Sequence, residues 1–458
     1  MTVLRKMKGT DGKGSEVRME TVRTLTLGCS KNRVDTEHIL SQLEGHLEII
    51  PEDDLESRAD YLLLNTCGFI GDAKEESVDA ILDAVELKKE GRIGKIFVFG
   101  CLSQRYEKEM PGLIPEVDAW FGARDTDPVV RALGVEPSGD VRTRRHLTTP
   151  GHYAFLKISE GCDRRCSYCA IPFIRGRHRS VPMEELEAEA RLLAAKGVRE
   201  LILIAQDTTY YGLDLYHRRA LAELLDRLSA IDGIVWIRIH YSYPDDFPED
   251  VLDRMAADPK VCRYMDIPLQ HISDRVLSAM RRNVDGAWTR ALIRKMRERV
   301  PGVVLRTTMI VGHPGETEAD FTELLDFVRE ARFERLGAFR YSEEEGTYGA
   351  EHFKDEIPEE TKQRRWDELM QEQSLISLAF NQSRIDTEEK VVIDGFSDGV
   401  FVCRSEFESP EVDGEILVKY DASAFGGAEP YSLIGEFMRV RITGADEYDL
   451  IAEPLALV

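Results

Sequence analysis

Gly161-Cys162-Asp163-Arg164-Arg165-Cys166-Ser167-Tyr168-Cys169 sets three cysteines at C-x3-C-x2-C spacing, directly after an apolar run, Tyr153–Ile158, that reads as a buried strand. Zinc is one reading of such a cluster, but a structural zinc takes four protein ligands and no obvious fourth follows. His178 is nearest, in the run Arg175-Gly176-Arg177-His178-Arg179, which reads as an exposed basic loop. A disulfide is a second reading, disfavoured in a long chain without an export signal. Three thiolates suit a cubane iron–sulfur cluster with one iron left open to a further ligand, and that is the reading preferred here.

Downstream of this stretch, strand candidates alternate with amphipathic helices. Tyr153–Ile158, Leu201–Ala205, Val235–Ile239, Tyr264–Ile267, Val303–Val311 and Leu336–Tyr341 are separated by helical stretches such as Pro182–Lys196, Ala220–Ile231 and Glu318–Ala331. Six βα units are too few for a closed eight-fold barrel and predict a partial (β/α)6 barrel, with its chemistry at the carboxyl ends of the strands. Upstream, Thr24–Gly28, Tyr61–Asn65 and Lys95–Gly100 read as parallel strands, with helices over Val34–Leu43 and Ala73–Lys89, which predicts a small doubly wound α/β domain. Past a charged helical connector, Pro358–Ser383, short strands at Val391–Ile393, Gly399–Cys403, Glu415–Val418 and Phe437–Ile442 predict a small β-barrel. The organisation expected is a disordered, solvated tail over 1–20, an α/β domain over 21–135, a linker over 136–150, the half-barrel over 151–383 and the β-barrel over 387–458.

Three more cysteines, Cys29, Cys67 and Cys101, each stand where a predicted upstream strand ends, beside Gly28, Gly68 and Gly100. Parallel strands share one carboxyl edge, so the three can converge there, with glycines letting backbone approach a bulky ligand. Three buried structural cysteines are the alternative. Cys262 and Cys403 have no partners at useful spacing and read as core.

The chain has 458 residues, 43% hydrophobic and 31% charged, with 84 acidic against 60 basic side chains and a formal net charge of −24. That balance disfavours a protein held mainly by nucleic-acid phosphates and favours a cationic partner. No apolar run approaches a membrane span, and the first 20 residues lack a signal-peptide core, so a cytoplasmic location is expected.

The half-barrel cysteines resemble those of the radical S-adenosylmethionine superfamily, in which the open iron chelates S-adenosylmethionine and the reduced cluster cleaves it to methionine and a 5′-deoxyadenosyl radical. Leu27-Gly28-Cys29-Ser30-Lys31-Asn32-Arg33-Val34-Asp35, Asn65-Thr66-Cys67-Gly68-Phe69-Ile70 and Gly100-Cys101-Leu102-Ser103-Gln104-Arg105-Tyr106 extend the resemblance to the methylthiotransferase family over nearly the whole chain, the last region resembling its TRAM domain. The resemblance implies two [4Fe-4S] clusters, one on Cys29, Cys67 and Cys101 that carries sulfur, the other on Cys162, Cys166 and Cys169 that binds S-adenosylmethionine, the methyl donor and radical source. It also implies external electron and sulfur donors.

Ala205-Gln206-Asp207-Thr208-Thr209-Tyr210-Tyr211-Gly212, Asp266-Ile267-Pro268-Leu269-Gln270-His271 and Tyr341-Ser342-Glu343-Glu344-Glu345-Gly346-Thr347 resemble the branch that modifies an aspartate β-carbon of small-subunit ribosomal protein S-twelve, free or in the ribosome. Ser30 departs from that branch's usual proline. The other branch modifies transfer-RNA adenosines, and a more distant alternative is a non-catalytic iron–sulfur electron carrier. From Thr387 to Val458 there are 16 acidic and 5 basic residues, a module that would repel phosphates and complement a basic ribosomal protein, leaving nucleic acid a secondary partner at most.

By resemblance, Gln206 and Asp207 occupy the place that receives the methionine amine, Tyr168 lies beside the cluster, and Gly312, in Val311-Gly312-His313-Pro314-Gly315-Glu316-Thr317, lies where backbone nears adenine. A turn that simply starts the next helix, with Thr317 as N-cap, explains that last segment equally. Arg281 and Arg282 could meet the carboxylate or ribose of S-adenosylmethionine, but are read here as solvated helix charges. His240 and His271, after the third and fourth strands, read as cavity-lining or satisfied core residues.

Overall fold

The computed structural model describes residues 18–54, 56–139 and 141–458. Three large β-structures follow one another along the chain, with a two-stranded antiparallel ribbon of Ser159–Glu160 and Arg179–Ser180 beside the second, and the first two large sheets are parallel throughout. The N-terminal sheet runs, edge to edge, Glu48–Ile50, Thr21–Thr26, Ala59–Thr66, Ile93–Gly100, Ala119–Trp120. Its two faces are covered separately. Ile39, Leu40 and Leu43 of the helix Ser30–Leu43 pack with Val22, Leu63 and Phe99, while Ile81, Ala84 and Val85 of Gly71–Lys89 pack with Leu64, Ile96 and Val98. Neighbouring strand residues going to opposite faces is the doubly wound arrangement.

The central sheet orders its strands Arg335–Arg340, Val304–Val311, Val261–Asp266, Trp236–Ile239, Glu200–Ile204, Tyr153–Lys157, in reverse chain order, as successive right-handed βα units dictate. Ala154, Leu156, Leu201 and Leu203 face the helices, including Met183–Ala195 and Leu221–Ser229. Tyr153, Phe155, Ile202 and Ile204 face inward and meet Val34, so the N-terminal helix Ser30–Leu43 lies across the concave face of the half-barrel. The lower part of that face is closed from the other side, where Trp236, Cys262, Tyr264 and Val304 pack with Val392 and Phe437.

The C-terminal strands Glu388–Ser397, Val400–Ser405, Ile416–Lys419, Leu450–Leu457 and Phe437–Ala445 form a closed barrel around Ile393, Phe401, Val418 and Val440. Cys403 is buried in this core, and Cys262 in the joint below it.

Several expectations need correction. Residues 1–17 of the anticipated tail lie outside the described residues, but Arg18 pairs with Asp60 at 3.0 Å and Glu20 accepts the Tyr61 hydroxyl at 3.1 Å, so 18–20 are tied to the sheet. The anticipated linker ends in a buried anchor, since Arg145 is fully buried between Glu37 and Glu189 and donates to the Phe155 carbonyl at 2.9 Å. Leu450–Leu457, which closes the C-terminal barrel, and the edge strand Glu48–Ile50 were not anticipated. Among the described residues no helix is long and apolar enough to cross a membrane.

Candidate functional site: two thiol triads facing one another

Cys29 is the N-cap of the helix Ser30–Leu43, so its thiol stands at the positive end of fourteen aligned peptides. Ser30 occupies the first helical position, where a proline is equally at home, and the fold tolerates the exchange. Cys67 follows the strand Ala59–Thr66, and Cys101 opens the turn after Ile93–Gly100. Burial foremost, and then the neighbouring Cys29 and Cys101 thiols, pushes the Cys67 thiol up to about 12. Burial raises Cys101 as well, with Cys29 again contributing and Arg175 opposing. The three strand-end thiols therefore lie near enough to influence one another. Gly28 makes the approach possible, because a Cβ there would lie 2.7 Å from Cys67 Cβ and 2.9 Å from its Sγ.

The second triad lies on the loop after Tyr153–Lys157. Burial foremost pushes Cys162 up to about 12, with Asp207 and Cys166 adding to it, and raises Cys169, with Cys166 and Cys162 both contributing. The loop closes on itself through Cys162 N–H donating to the Gly176 carbonyl at 3.0 Å. Among the described residues, no group of three or more His, Cys, Asp or Glu side chains is arranged to hold a single metal ion. The thiols lie close enough to perturb one another without being gathered around a point.

The two triads share an interface. Ala170, next to Cys169, packs with Cys101, Ala123 and Ile174. Arg175, five residues further on, is 2% exposed and reaches across. Its Nε donates to Cys101 Sγ at 3.2 Å, and its terminal nitrogens donate to Asn32 Oδ1 at 2.5 Å and Asp35 Oδ2 at 2.6 Å. Glu160, just before the second triad, accepts from Arg175, from Lys157 at 2.7 Å and from Gln206 Nε2 at 2.8 Å. Lys157 also meets Asp35. A continuous buried ionic network thus links Cys101 to the strand end that carries Gln206. The reading of Arg175–Arg179 as an exposed basic loop is overturned for Arg175 and His178, both buried, the latter bonded to Ser180 Oγ at 3.0 Å.

Gln206 keeps a buried side-chain oxygen with no hydrogen-bond partner, a place for an amine donor. Asp207 is already engaged, taking Arg164 Nε at 2.9 Å and the Thr209 N–H at 3.0 Å and capping the turn Thr208–Tyr210. Tyr168 receives Arg282 at 3.4 Å, and burial raises its phenol well above the usual range. Arg282 itself is 7% exposed, donates to the Pro268 carbonyl at 2.7 Å and lies 3.7 Å from Cys166 Sγ. Its reading as a solvated charge is corrected, because the chain folds it back under the loop. Arg281 remains exposed, over the Tyr348 ring.

Gly312 sits at φ +77, donates its N–H to Glu316 at 2.7 Å and leaves no room for a side chain, since a Cβ would meet Lys362 Cγ at 2.4 Å. Thr317 caps the next helix in a reciprocal box with Asp320. The turn has a local structural cause whatever else it does. His240 bonds Ser409 Oγ at 2.9 Å, and burial holds it down to about 3. His271 accepts the Ser273 N–H at 3.1 Å, and its Nε2 makes no hydrogen bond but lies 3.9 Å from Glu316 Oε2.

Three family models match the chain: the uncharacterized protein family UPF0004 over residues 21–122, the radical SAM superfamily over 156–328 and the TRAM domain over 385–455. Curated relatives named ribosomal protein uS12 methylthiotransferase RimO match almost end to end. The protein from Phocaeicola vulgatus is 50% identical over 96% of this chain and 100% of its own length, and that from Porphyromonas gingivalis is 51% identical over 95% and 99%. Among solved structures, the radical S-adenosylmethionine methyltransferase TsrM from Kitasatospora setae shares the fold, with a TM-score of 0.53 and 16% identity over 70% of this chain and 75% of that one.

Proposed function

The chain belongs to the ribosomal protein uS12 methylthiotransferase family, and on that premise we propose that it transfers a methylthio group to the β-carbon of an aspartate in ribosomal protein uS12. The observation that supports this most directly is the meeting of two thiol triads across one buried interface. We assign Cys162, Cys166 and Cys169 to a [4Fe-4S] cluster that binds S-adenosylmethionine, and Cys29, Cys67 and Cys101 to a second [4Fe-4S] cluster. When bound, these groups supply the electron that cleaves S-adenosylmethionine and a site that holds the sulfur to be transferred.

The residues present suit such groups. Burial keeps the Cys67 and Cys162 thiols protonated, and a bound cluster would take them as thiolates, with the protons leaving to solvent. The guanidinium of Arg175 would then face a thiolate at Cys101, and that of Arg282 one at Cys166. Gln206 offers its free oxygen to the amino group of S-adenosylmethionine and is aimed by Glu160, while Asp207 holds Arg164 over the Tyr243 ring. The helix Ser30–Leu43 packs Val34 onto Tyr153, Phe155, Ile202 and Ile204 and so covers part of the half-barrel's concave face. Electron and sulfur donors are external in this reading, and a modifier of a ribosomal protein works in the cytoplasm.

Replacing Cys162, Cys166 and Cys169 together by Ala tests the assignment. Formation of 5′-deoxyadenosine from S-adenosylmethionine should cease, while the iron held by the other triad remains. Continued 5′-deoxyadenosine formation would overturn it.

A further inference from the structure

Lys31 is a buried cation without an anion. It lies in the first turn of the helix Ser30–Leu43, two residues after Cys29, and is 7% exposed. Among the described residues its ammonium has no carboxylate and no hydrogen-bond partner, and it stands over the ring of Tyr241, 3.0 Å from the centroid. Held on an aromatic face with no carboxylate beside it, this ammonium is open to an incoming anion.

The neighbouring cations are spent. Arg164 holds Asp207 and Asp245, Lys157 and Arg175 share Asp35 and Glu160, and Arg33 meets Glu411. Histidine supplies no substitute: burial foremost, with Lys31 among the opposing cations, keeps His240 neutral at ordinary pH.

Tyr241 marks the spot as built. It follows the strand Trp236–Ile239 at the carboxyl edge of the central sheet, and its backbone is held at φ 58, a left-handed conformation that an aromatic residue rarely adopts. Asp266 Oδ2 takes its N–H at 2.9 Å and its carbonyl takes the Thr208 N–H at 3.1 Å. Ser242, the next residue, has a buried hydroxyl with no partner. A free charge and a free hydroxyl therefore flank a strained residue, between the helix that begins at Cys29 and the strand end beside Gln206 and Asp207.

We propose that Lys31 recognises the acceptor residue itself: its ammonium takes the side-chain carboxylate of the aspartate to be modified and so holds the adjacent β-carbon between the two triads. The assignment rests on the functional reading above, in which the acceptor side chain is itself a carboxylate. A compact ammonium on a short reach suits one carboxylate, whereas an adenine base would offer it no negative charge at the reacting atom.

The test uses holoenzyme and two peptides copied from uS12 around the acceptor, one with its aspartate and one with asparagine there, with KM, kcat and equilibrium binding measured for each. Wild-type protein should bind the aspartate peptide about tenfold to a hundredfold more tightly, the size of one charge-assisted hydrogen bond. Lys31→Met should bring that ratio close to one, and Lys31→Arg should restore much of it. A full preference surviving in Lys31→Met would overturn the proposal, as would a variant whose one change is the spectrum or potential of the N-terminal cluster without peptide. The asparagine peptide needs no protein variant, so equal binding of both peptides by wild-type protein also refutes it. Wild-type protein that ignores both peptides and modifies transfer RNA would instead refute the functional reading, and this assignment with it.

Discussion

Arg175 joins groups that lie far apart in sequence: Asn32, Asp35, Cys101, Ala123 and Glu160 all accept from its guanidinium. In the run Arg175-Gly176-Arg177-His178-Arg179 it looks like one charge among several, and local sequence carries no sign of carboxylates arriving from an earlier helix. The cysteine triads are different, because spacing and a place at a strand end are written locally, so all six cysteines can be proposed as ligands from the sequence. The orphaned Gln206 oxygen falls between these cases, since the residue could be placed by resemblance but its free lone pairs appear only once Glu160 has claimed the amide nitrogen. Removing the guanidinium with Arg175→Ala leaves buried carboxylates uncompensated, which should cost about 3–5 kcal/mol in a denaturant titration. Arg175→Lys should recover part of that stability but not the contact to Cys101, so the electron paramagnetic resonance signal of the cluster proposed for the N-terminal triad should change in both variants. An unaltered signal in Arg175→Ala would show that the contact does not reach the cluster.

Elements were legible in proportion to their burial. The apolar runs of the two parallel sheets announce themselves because both faces are covered, and each anticipated strand is present to within a few residues. Leu450–Leu457 was missed because Glu453 and Pro454 interrupt its pattern and an Asp-rich turn precedes it, yet pairing with Phe437–Ala445 and Ile416–Lys419 holds it in the barrel. Edge strands such as Glu48–Ile50 are too short to carry a period. At this scale the strand-to-helix turns build the site, and Gly28 is the tightest test of one. It sits at φ +89 with Cys67 Sγ 2.9 Å from where a Cβ would stand. Gly28→Ala should cost roughly 1–3 kcal/mol, and protein reconstituted with iron should lose the metal of the N-terminal triad while keeping the other. Full iron content and an unchanged unfolding midpoint would contradict this account of the turn.

Across the whole molecule, the acidity of the C-terminal module has two uses. Asp394, Glu406, Glu408, Glu411, Asp413 and Glu436 pair with His152, Arg263, Arg335, Arg33, Arg306 and Arg199 from the rest of the chain, so part of the charge docks the barrel. Asp398, Asp421, Glu429, Glu447 and Glu453 remain exposed as the face that a basic protein could meet. Composition could count these carboxylates but not sort them. The His240–Ser409 contact at the same joint gives it a pH dependence. Burial holds His240 down to about 3 from an ordinary 6.5, so the unfolded chain takes up the proton first. The contribution is complete above pH 6.5 and is lost as pH falls from there through about 3. Hydrogen exchange around Ser405–Asp413 should therefore quicken on acidification once intrinsic rates are allowed for, and His240→Gln should flatten that dependence. A wild-type profile with no such rise would place the weak point of the joint elsewhere.

The central claim is the pairing of two cluster-binding triads with an aspartate of uS12. It is tested most directly by incubating reconstituted enzyme anaerobically with S-adenosylmethionine, sulfide, reductant, purified uS12 and bulk transfer RNA, then weighing both by mass spectrometry. The account predicts one methylthio group in place of one hydrogen on the uS12 aspartate, with transfer RNA unchanged. A methylthio group on transfer RNA with uS12 unmodified would contradict it.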